Sequence, residues 1–289
     1  MRILNLYAGI GGNRTAWGDE HEVVAVEYDA KIAEIYKENF PNDEVIIADA
    51  HEYLQEHFRE FDFIWSSPPC PTHSRVRKQL SIKKRKDGTT YEQNKPVFPD
   101  MTLYEEIIFL DNYFDGYYVV ENVVPYYEPL IEPQKLGRHL FWSNINIPKI
   151  KVTPRGNFDN TEKLAEILGY DTTNWTGVNK KLLLRNCVEN DVSEHIFKCL
   201  LEQMNESEEE ENIMIEERPK IYDILDEISD ITHSNYYSDN DMENSMERAL
   251  EELLNHYKEL KEENRKLKNE KELEIDPYLE YGVNENHFH

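Results

Sequence analysis

Residues 61–70 read Phe61-Asp62-Phe63-Ile64-Trp65-Ser66-Ser67-Pro68-Pro69-Cys70. This stretch decides the fold. Its first half is an apolar run that predicts a buried strand. The two prolines stop that strand, because neither has an N–H for a ladder and each fixes its own φ. Cys70 is therefore expected on a stiff loop just past the carboxyl end of a strand, the edge at which open α/β sheets bind ligands. A stiff loop costs little entropy to hold in a reactive geometry.

Two other stretches repeat the pattern. Near the start, a predicted strand over residues 3–7 runs into Tyr7-Ala8-Gly9-Ile10-Gly11-Gly12. Further on, Tyr117-Tyr118-Val119-Val120 leads into Glu121-Asn122-Val123. Three strands with glycine-rich or reactive ends predict one sheet with three functional loops on one edge. The glycines allow a tight turn and a close backbone approach. Their spacing is unlike the G-x-G-x-x-G dinucleotide fingerprint, which would place a third glycine at a different offset.

With these three motifs in this order, the chain resembles the DNA cytosine-5 methyltransferases. That resemblance implies a Rossmann-like, mostly parallel sheet with helices on both faces. It also implies S-adenosylmethionine as cofactor, held by the glycine loop (Gly9, Gly11, Gly12), with Tyr7 beside the adenine. Cysteine at position 70 points to carbon-5 chemistry. An exocyclic amine can attack a sulfonium methyl directly, but carbon 5 of cytosine must first be made enamine-like by a thiolate adding to carbon 6. The alternative, a buried structural cysteine, suits a residue between Pro69 and Pro71 poorly. In the resembled family Glu121 engages ring nitrogen 3 of the cytosine and assists that attack, and Pro69 and Asn186 belong to the cofactor site.

The departures from the family pattern are local. Pro71 stands where glutamine is common. Gln134-Lys135-Leu136-Gly137-Arg138 keeps only the second arginine of Gln-x-Arg-x-Arg, so Arg138 is assigned to the flipped cytosine or to orienting Glu121. Arg185 precedes Asn186-Cys187-Val188 where glycine is usual. His73 lies three residues from Cys70, but a zinc site would need about two more ligands, so no metal is expected. His73 is assigned to the phosphate backbone or to loop support.

The remaining strands are predicted at 23–26, 44–48 and 139–143, and helices at 13–17, 30–39, 101–114 and 193–204, with one more running through Leu54. Glu27 ends the second strand, where an acid can accept from both ribose hydroxyls, and Asp29 suits the helix cap that follows. By the resemblance, Tyr28 lies against the adenine and Asp49 accepts from its amino group. An N-cap role for Asp49 is equally consistent with the sequence.

The net charge of −26 over 289 residues is unusual for a chain that meets nucleic acid. Most of it lies after residue 204. Residues 75–86 hold seven basic side chains and no acid, a segment suited to neutralising phosphates and, in the resembled family, to closing over a flipped base. It is expected to be poorly packed without nucleic acid. Residues 133–158 hold five more basic residues and no acid.

The expected organisation is a methyltransferase domain at 1–204, with a short target-recognition region at about 150–182. An acidic linker at 205–242, a helix at 243–272 and a tail at 273–289 follow. In that helix Leu250, Leu253, Tyr257, Leu260, Asn264 and Leu267 follow a 3-4 spacing, a parallel two-stranded coiled-coil pattern that suggests a homodimer; a single amphipathic helix is the alternative. Three cysteines give no disulfide framework. The first residues read as strand rather than signal peptide, and no apolar run approaches membrane-spanning length. A cytoplasmic protein without membrane contact is expected. The functional expectation is methylation of carbon 5 of a cytosine flipped from double-stranded DNA, as in restriction-modification. A tRNA substrate and a non-catalytic nucleic-acid scaffold are the alternatives.

Overall fold

The computed structural model describes residues 1–75, 82–92, 97–152, 160–207 and 255. One compact unit spans Met1–Gln203 and a second spans Met204–His289. The expected linker, coiled-coil helix and tail fall almost wholly in 208–254 and 256–289, outside the described residues, as do 76–81 of the basic segment.

A seven-stranded sheet forms the first unit. Its strands are β1 (Arg2–Leu6), β2 (Glu22–Glu27), β3 (Glu44–Ile47), β4 (Phe63–Ser66), β7 (Tyr117–Val123), β8 (Gln134–Leu136) and β9 (His139–Ser143). Two more, β5 (Ile82–Lys84) and β6 (Thr90–Glu92), make a separate antiparallel hairpin. The order in the large sheet is β3-β2-β1-β4-β7-β9-β8. The pairs from β3 through β7 are parallel, and β9 runs antiparallel to both β7 and β8. The mostly parallel α/β sheet expected from the sequence is therefore present.

This order positions the site. The chain leaves β1 toward β2 and β3 on one side and returns to β4 on the other. The order reverses between β1 and β4, and that reversal opens a crevice at their carboxyl ends. The loops after β1 and β4 are the glycine loop and the Pro-Pro-Cys loop.

Both faces of the parallel strands are covered, which is why they read as continuous apolar runs. One face packs Leu4, Leu6, Val24, Val26, Ile64 and Val120 against α2 (Ala50–His57) and α3 (Thr102–Tyr113). On the other, Trp17 contacts Phe63, Trp65 and Phe197, the last from a helix over residues 190–207. Helix α1 (Ala30–Asn39) supplies Ile35 to a cluster with α4 (Thr161–Leu168) and α5 (Lys180–Asn186).

Two local expectations change. The helix foreseen at 13–17 is a single 3-10 turn, Arg14–Ala16. The chain is pulled inward there by Arg14, whose guanidinium is buried and donates to Asp43 at 2.8 and 3.0 Å. The region expected to read the target, 150–182, supplies α4, whose Leu164, Ala165 and Leu168 pack with Trp175 against Ile10 and Ile35. Much of that segment therefore closes the core behind the glycine loop.

Candidate active site

On the β1–β3 side the loops are shaped by backbone geometry. Tyr7 takes a left-handed φ of +54° and Gly9 one of +56°, a conformation that is cheap only for glycine. A Cβ on Gly9 would meet nothing nearer than the Tyr7 carbonyl at 4.0 Å, so this glycine faces open space. Gly11 and Gly12 do not. A Cβ on Gly11 would lie 2.2 Å from the Phe40 ring, and one on Gly12 would lie 2.5 Å from Cys187 Cβ. Those two glycines let the protein pack on itself, and the contact with Cys187 brings α5, which ends at the exposed Asn186, up to the loop.

At the end of β2, Glu27 accepts from Gly9 N–H through Oε2 and from Asp29 N–H through Oε1, both at 2.9 Å. Its carboxylate is thereby fixed at the mouth of the glycine loop. Asp29 caps α1. Asp49 caps α2, with both bonds falling on Oδ1. Tyr28 and Ile47, at the ends of neighbouring strands, are 78% and 60% exposed. They form apolar surface suited to a planar ring.

Behind this half sits Glu106, fully buried on α3. It accepts from Tyr7 Oη at 2.6 Å and Ser66 Oγ at 2.5 Å, and it lies 3.1 Å from His51 Nδ1. Three segments, after β1, at the end of β4 and in α2, are thus tied to one carboxylate. Its hydrogen bond raises the pKa of His51, while burial and then Glu106 push that of Tyr7 up. Glu106 was missed from sequence, although an acid among Leu103, Ile107 and Leu110 on a core-facing stripe was a visible signal.

On the β4–β7 side the Pro-Pro-Cys loop is fastened to the chain after β7. Asn122 is buried and donates to the Pro68 carbonyl at 3.0 Å. His73 is buried, its Nδ1 2.5 Å from Tyr127 Oη, and its carbonyl accepts from Tyr126 N–H. Arg75 Nε donates to the Pro125 carbonyl at 2.7 Å. His73 thus supports the loop from within, one of the two roles expected of it. Burial lowers its pKa. Pro69 is exposed beside the half-buried Cys70.

Cys70 lies just past β4 and Glu121 on the neighbouring β7, and the charges of Glu121 and of Arg138, in the turn between β8 and β9, both act on the thiol. Burial raises the pKa of the Cys70 thiol, the charge on Glu121 raises it further, and the charge on Arg138 acts in the opposite sense. Arg138 is itself engaged, with Nε donating to Glu189 at 2.6 Å and Nη2 donating to the carbonyls of Arg185 and Cys187. His139 completes the group, between Glu121 at 3.6 Å and Glu189 at 3.0 Å. The histidine could have been noticed as one polar residue in an apolar strand, whereas nothing local marks Glu189. No cluster of three or more metal-ligating side chains occurs among the described residues.

Residues 1–97 match the family of C-5 cytosine-specific DNA methylases. The chain is 27% identical over 154 residues to the human tRNA (cytosine(38)-C(5))-methyltransferase, covering 47% of this chain and 39% of that protein. It is 34% identical over 85 residues to the Spodoptera frugiperda enzyme of the same name, covering 27% of this chain and 26% of the relative. A crystal structure of a mutant Spodoptera frugiperda DNMT2 aligns over 42% of this chain and 35% of that one, at 27% identity and a TM-score of 0.27. The chain therefore spans well under half the length of the curated relatives it matches.

S-adenosylmethionine fits the residues present. Open space over Gly9, a fixed carboxylate at Glu27 and exposed apolar side chains at Tyr28 and Ile47 suit an amino-acid tail, a ribose and a base in turn. The segment that builds β1 to β4 is thus similar to the C-5 cytosine-specific DNA methylases, a resemblance that fits the placing of Cys70 just past β4 and of Glu121 on the neighbouring β7.

Proposed function

We propose that this protein methylates carbon 5 of a cytosine in tRNA, with Cys70 as nucleophile. The observation that supports the chemistry is the placing of Cys70 just past β4 and of Glu121 on the neighbouring parallel strand β7, with the charges of Glu121 and Arg138 acting on the thiol. S-adenosylmethionine supplies an electrophilic methyl group when bound. The Cys70 thiolate bonds to carbon 6 of the cytosine while the Glu121 carboxyl shares its proton with ring nitrogen 3. Carbon 5 then takes the methyl group. A base removes the carbon-5 proton, the sulfur–carbon-6 bond breaks, and Cys70 leaves.

The state of Glu121 matters twice. As a neutral acid on nitrogen 3 it draws electrons from the ring, and in the same state it stops opposing ionisation of Cys70. Substrate binding thus helps to activate the nucleophile. Arg138, held by Glu189, keeps a positive charge near the thiol.

Two observations favour tRNA. The curated relatives quoted above carry tRNA names. In addition, Leu164, Ala165, Leu168 and Trp175 are committed to the core, which leaves little of 150–182 for reading bases in a duplex groove. The family match favours the second reading, DNA. Incubation with methyl-labelled S-adenosylmethionine and either tRNA or duplex DNA, followed by nucleoside analysis, tests both. Label in 5-methylcytosine from tRNA is expected. Label from DNA alone would move the substrate, and label in neither would overturn the activity.

A further inference from the structure

We propose that His139 is a positioning residue for the reaction, holding the Glu121 carboxyl in place. The inference rests on the reading of Cys70 and Glu121 as the reacting pair. In the β7–β9 register Glu121 stands opposite Phe141, and His139 stands opposite Val123. His139 is thus the diagonal neighbour of Glu121 on the same sheet face, within reach of long side chains. Its Nε2 lies 3.6 Å from Glu121 Oε1 and its Nδ1 lies 3.0 Å from Glu189 Oε2.

All three side chains are buried. Two carboxylates sharing a buried space repel each other unless a positive charge or a proton lies between them. An imidazole ring can place a polar or positive edge between two carboxylates, and here the His139 ring lies within ion-pair distance of both without a hydrogen bond to either. Glu189 is anchored by Arg138, which also bonds the Arg185 and Cys187 carbonyls. The array therefore runs from a fixed guanidinium through Glu189 and His139 to Glu121, whose charge reaches Cys70. Among the described residues, the charged and titratable groups around the imidazole are Glu121 on β7, Arg138 in the turn between β8 and β9, Glu189 beside the helix over 190–207, and the Cys70 thiol beyond Glu121.

This array also stands near a gap in the family pattern. Leu136 occupies the position where the Gln-x-Arg-x-Arg motif has its first arginine, so this chain has one fewer fixed cation there. His139 gives Glu121 a polar partner there.

The test uses the full chain, with His139→Leu, His139→Gln and Glu189→Gln, and two readouts. The first is steady-state methyl transfer to whichever nucleic acid the wild type methylates. His139→Leu should lower kcat by roughly 10- to 100-fold, the range expected when a reacting group loses its alignment, with KM for the nucleic acid nearly unchanged, and His139→Gln should recover most of the loss. The second readout needs no methyl transfer: the rate of Cys70 alkylation by iodoacetamide against pH. Without the imidazole edge facing Glu121, the charge of that carboxylate bears on Cys70 less offset, so the His139→Leu profile should move to higher pH. Absence of transfer by the wild type would overturn the proposed function and leave the alkylation arm to judge His139. A kcat within twofold of wild type, or an unmoved alkylation profile, would overturn the role of His139. If His139→Leu does not fold, Glu189→Gln reports through the same two readouts.

Discussion

The two halves of the sheet edge are built in different ways. Around β1 to β3 the site is open. Gly9 faces empty space, Tyr28 and Ile47 are mostly exposed, and the bonds that shape the loops are made by backbone amides and nearby carboxylates. Around β4, β7 and β9 the site is closed. Asn122, His139, Glu189 and Glu121 are all buried and joined by side-chain contacts between residues far apart in sequence. The open half awaits the molecule that will cover its apolar surface. The closed half holds a thiol and a carboxyl in register before any substrate arrives, so that alignment need not be bought at the moment of reaction.

The strongest way to break this comparison is to remove the proposed nucleophile. Cys70→Ala should lower methyl transfer by about 10³-fold or more, as expected when a nucleophile is lost. Calorimetric binding of S-adenosylmethionine should stay within a factor of two or so of wild type, a margin well below the 1.4 kcal/mol that makes a tenfold change. A large loss of cofactor affinity would mean that the halves are one site energetically. The converse experiment is Glu27→Gln. Hydrogen bonds to charged groups are worth about 1.5–3 kcal/mol, so cofactor affinity should fall roughly 10- to 100-fold. Alkylation of Cys70 should be unchanged.

The same division explains what the sequence disclosed. The open half was legible because its devices are local. Glu27 and Asp29 sit at the end of one strand, Asp29 and Asp49 directly precede the helices they cap, and the glycines follow a strand. The strand at 139–143 and the helix at 30–39 were also read to the residue, since alternation and capping are short-range signals. The closed half was legible only in its motif residues. Cys70 and Glu121 could be named, but their fastening depends on Asn122 reaching Pro68 and on Arg138 reaching Glu189, and a single sequence carries no signal for such pairings. That Gly11 and Gly12 press on Phe40 and Cys187 also follows from tertiary packing, which leaves the same letters as a ligand-binding turn. The short 3-10 turn at Arg14 reflects a buried ion pair with Asp43, 29 residues away.

Asn122 offers a smaller test, aimed at the fastening. Asn122→Leu would strip the Pro68 carbonyl and the Val123 N–H of their partner. Each buried group left unsatisfied costs about 1–3 kcal/mol. The variant should unfold several degrees lower in a thermal scan and should transfer methyl more slowly, with cofactor affinity held. Unchanged turnover in a destabilised protein would show that the pin supports the fold without aligning Cys70.

The finest probe of the closed half is the acidity of Cys70. Burial and the Glu121 charge raise its pKa, so in the ligand-free protein the thiol form persists to higher pH than for an ordinary cysteine. Alkylation by iodoacetamide, which needs the thiolate, should therefore climb only at pH above the usual thiol range. Cys187 and Cys199 are buried, so peptide mapping should find the label on Cys70 first. Glu121→Gln removes the charge that opposes ionisation while keeping the side-chain shape. The sign follows directly: with less negative charge nearby the thiolate is easier to form, and the alkylation profile should move toward lower pH even as methyl transfer falls. A nucleophile that becomes more reactive toward a small alkylating agent while the enzyme becomes slower would separate the two parts played by Glu121. Its charge restrains Cys70 until substrate is bound, and its proton is needed once the cytosine is in place. A profile that did not move would mean that Glu121 acts on the base alone, and that the restraint on Cys70 comes from burial.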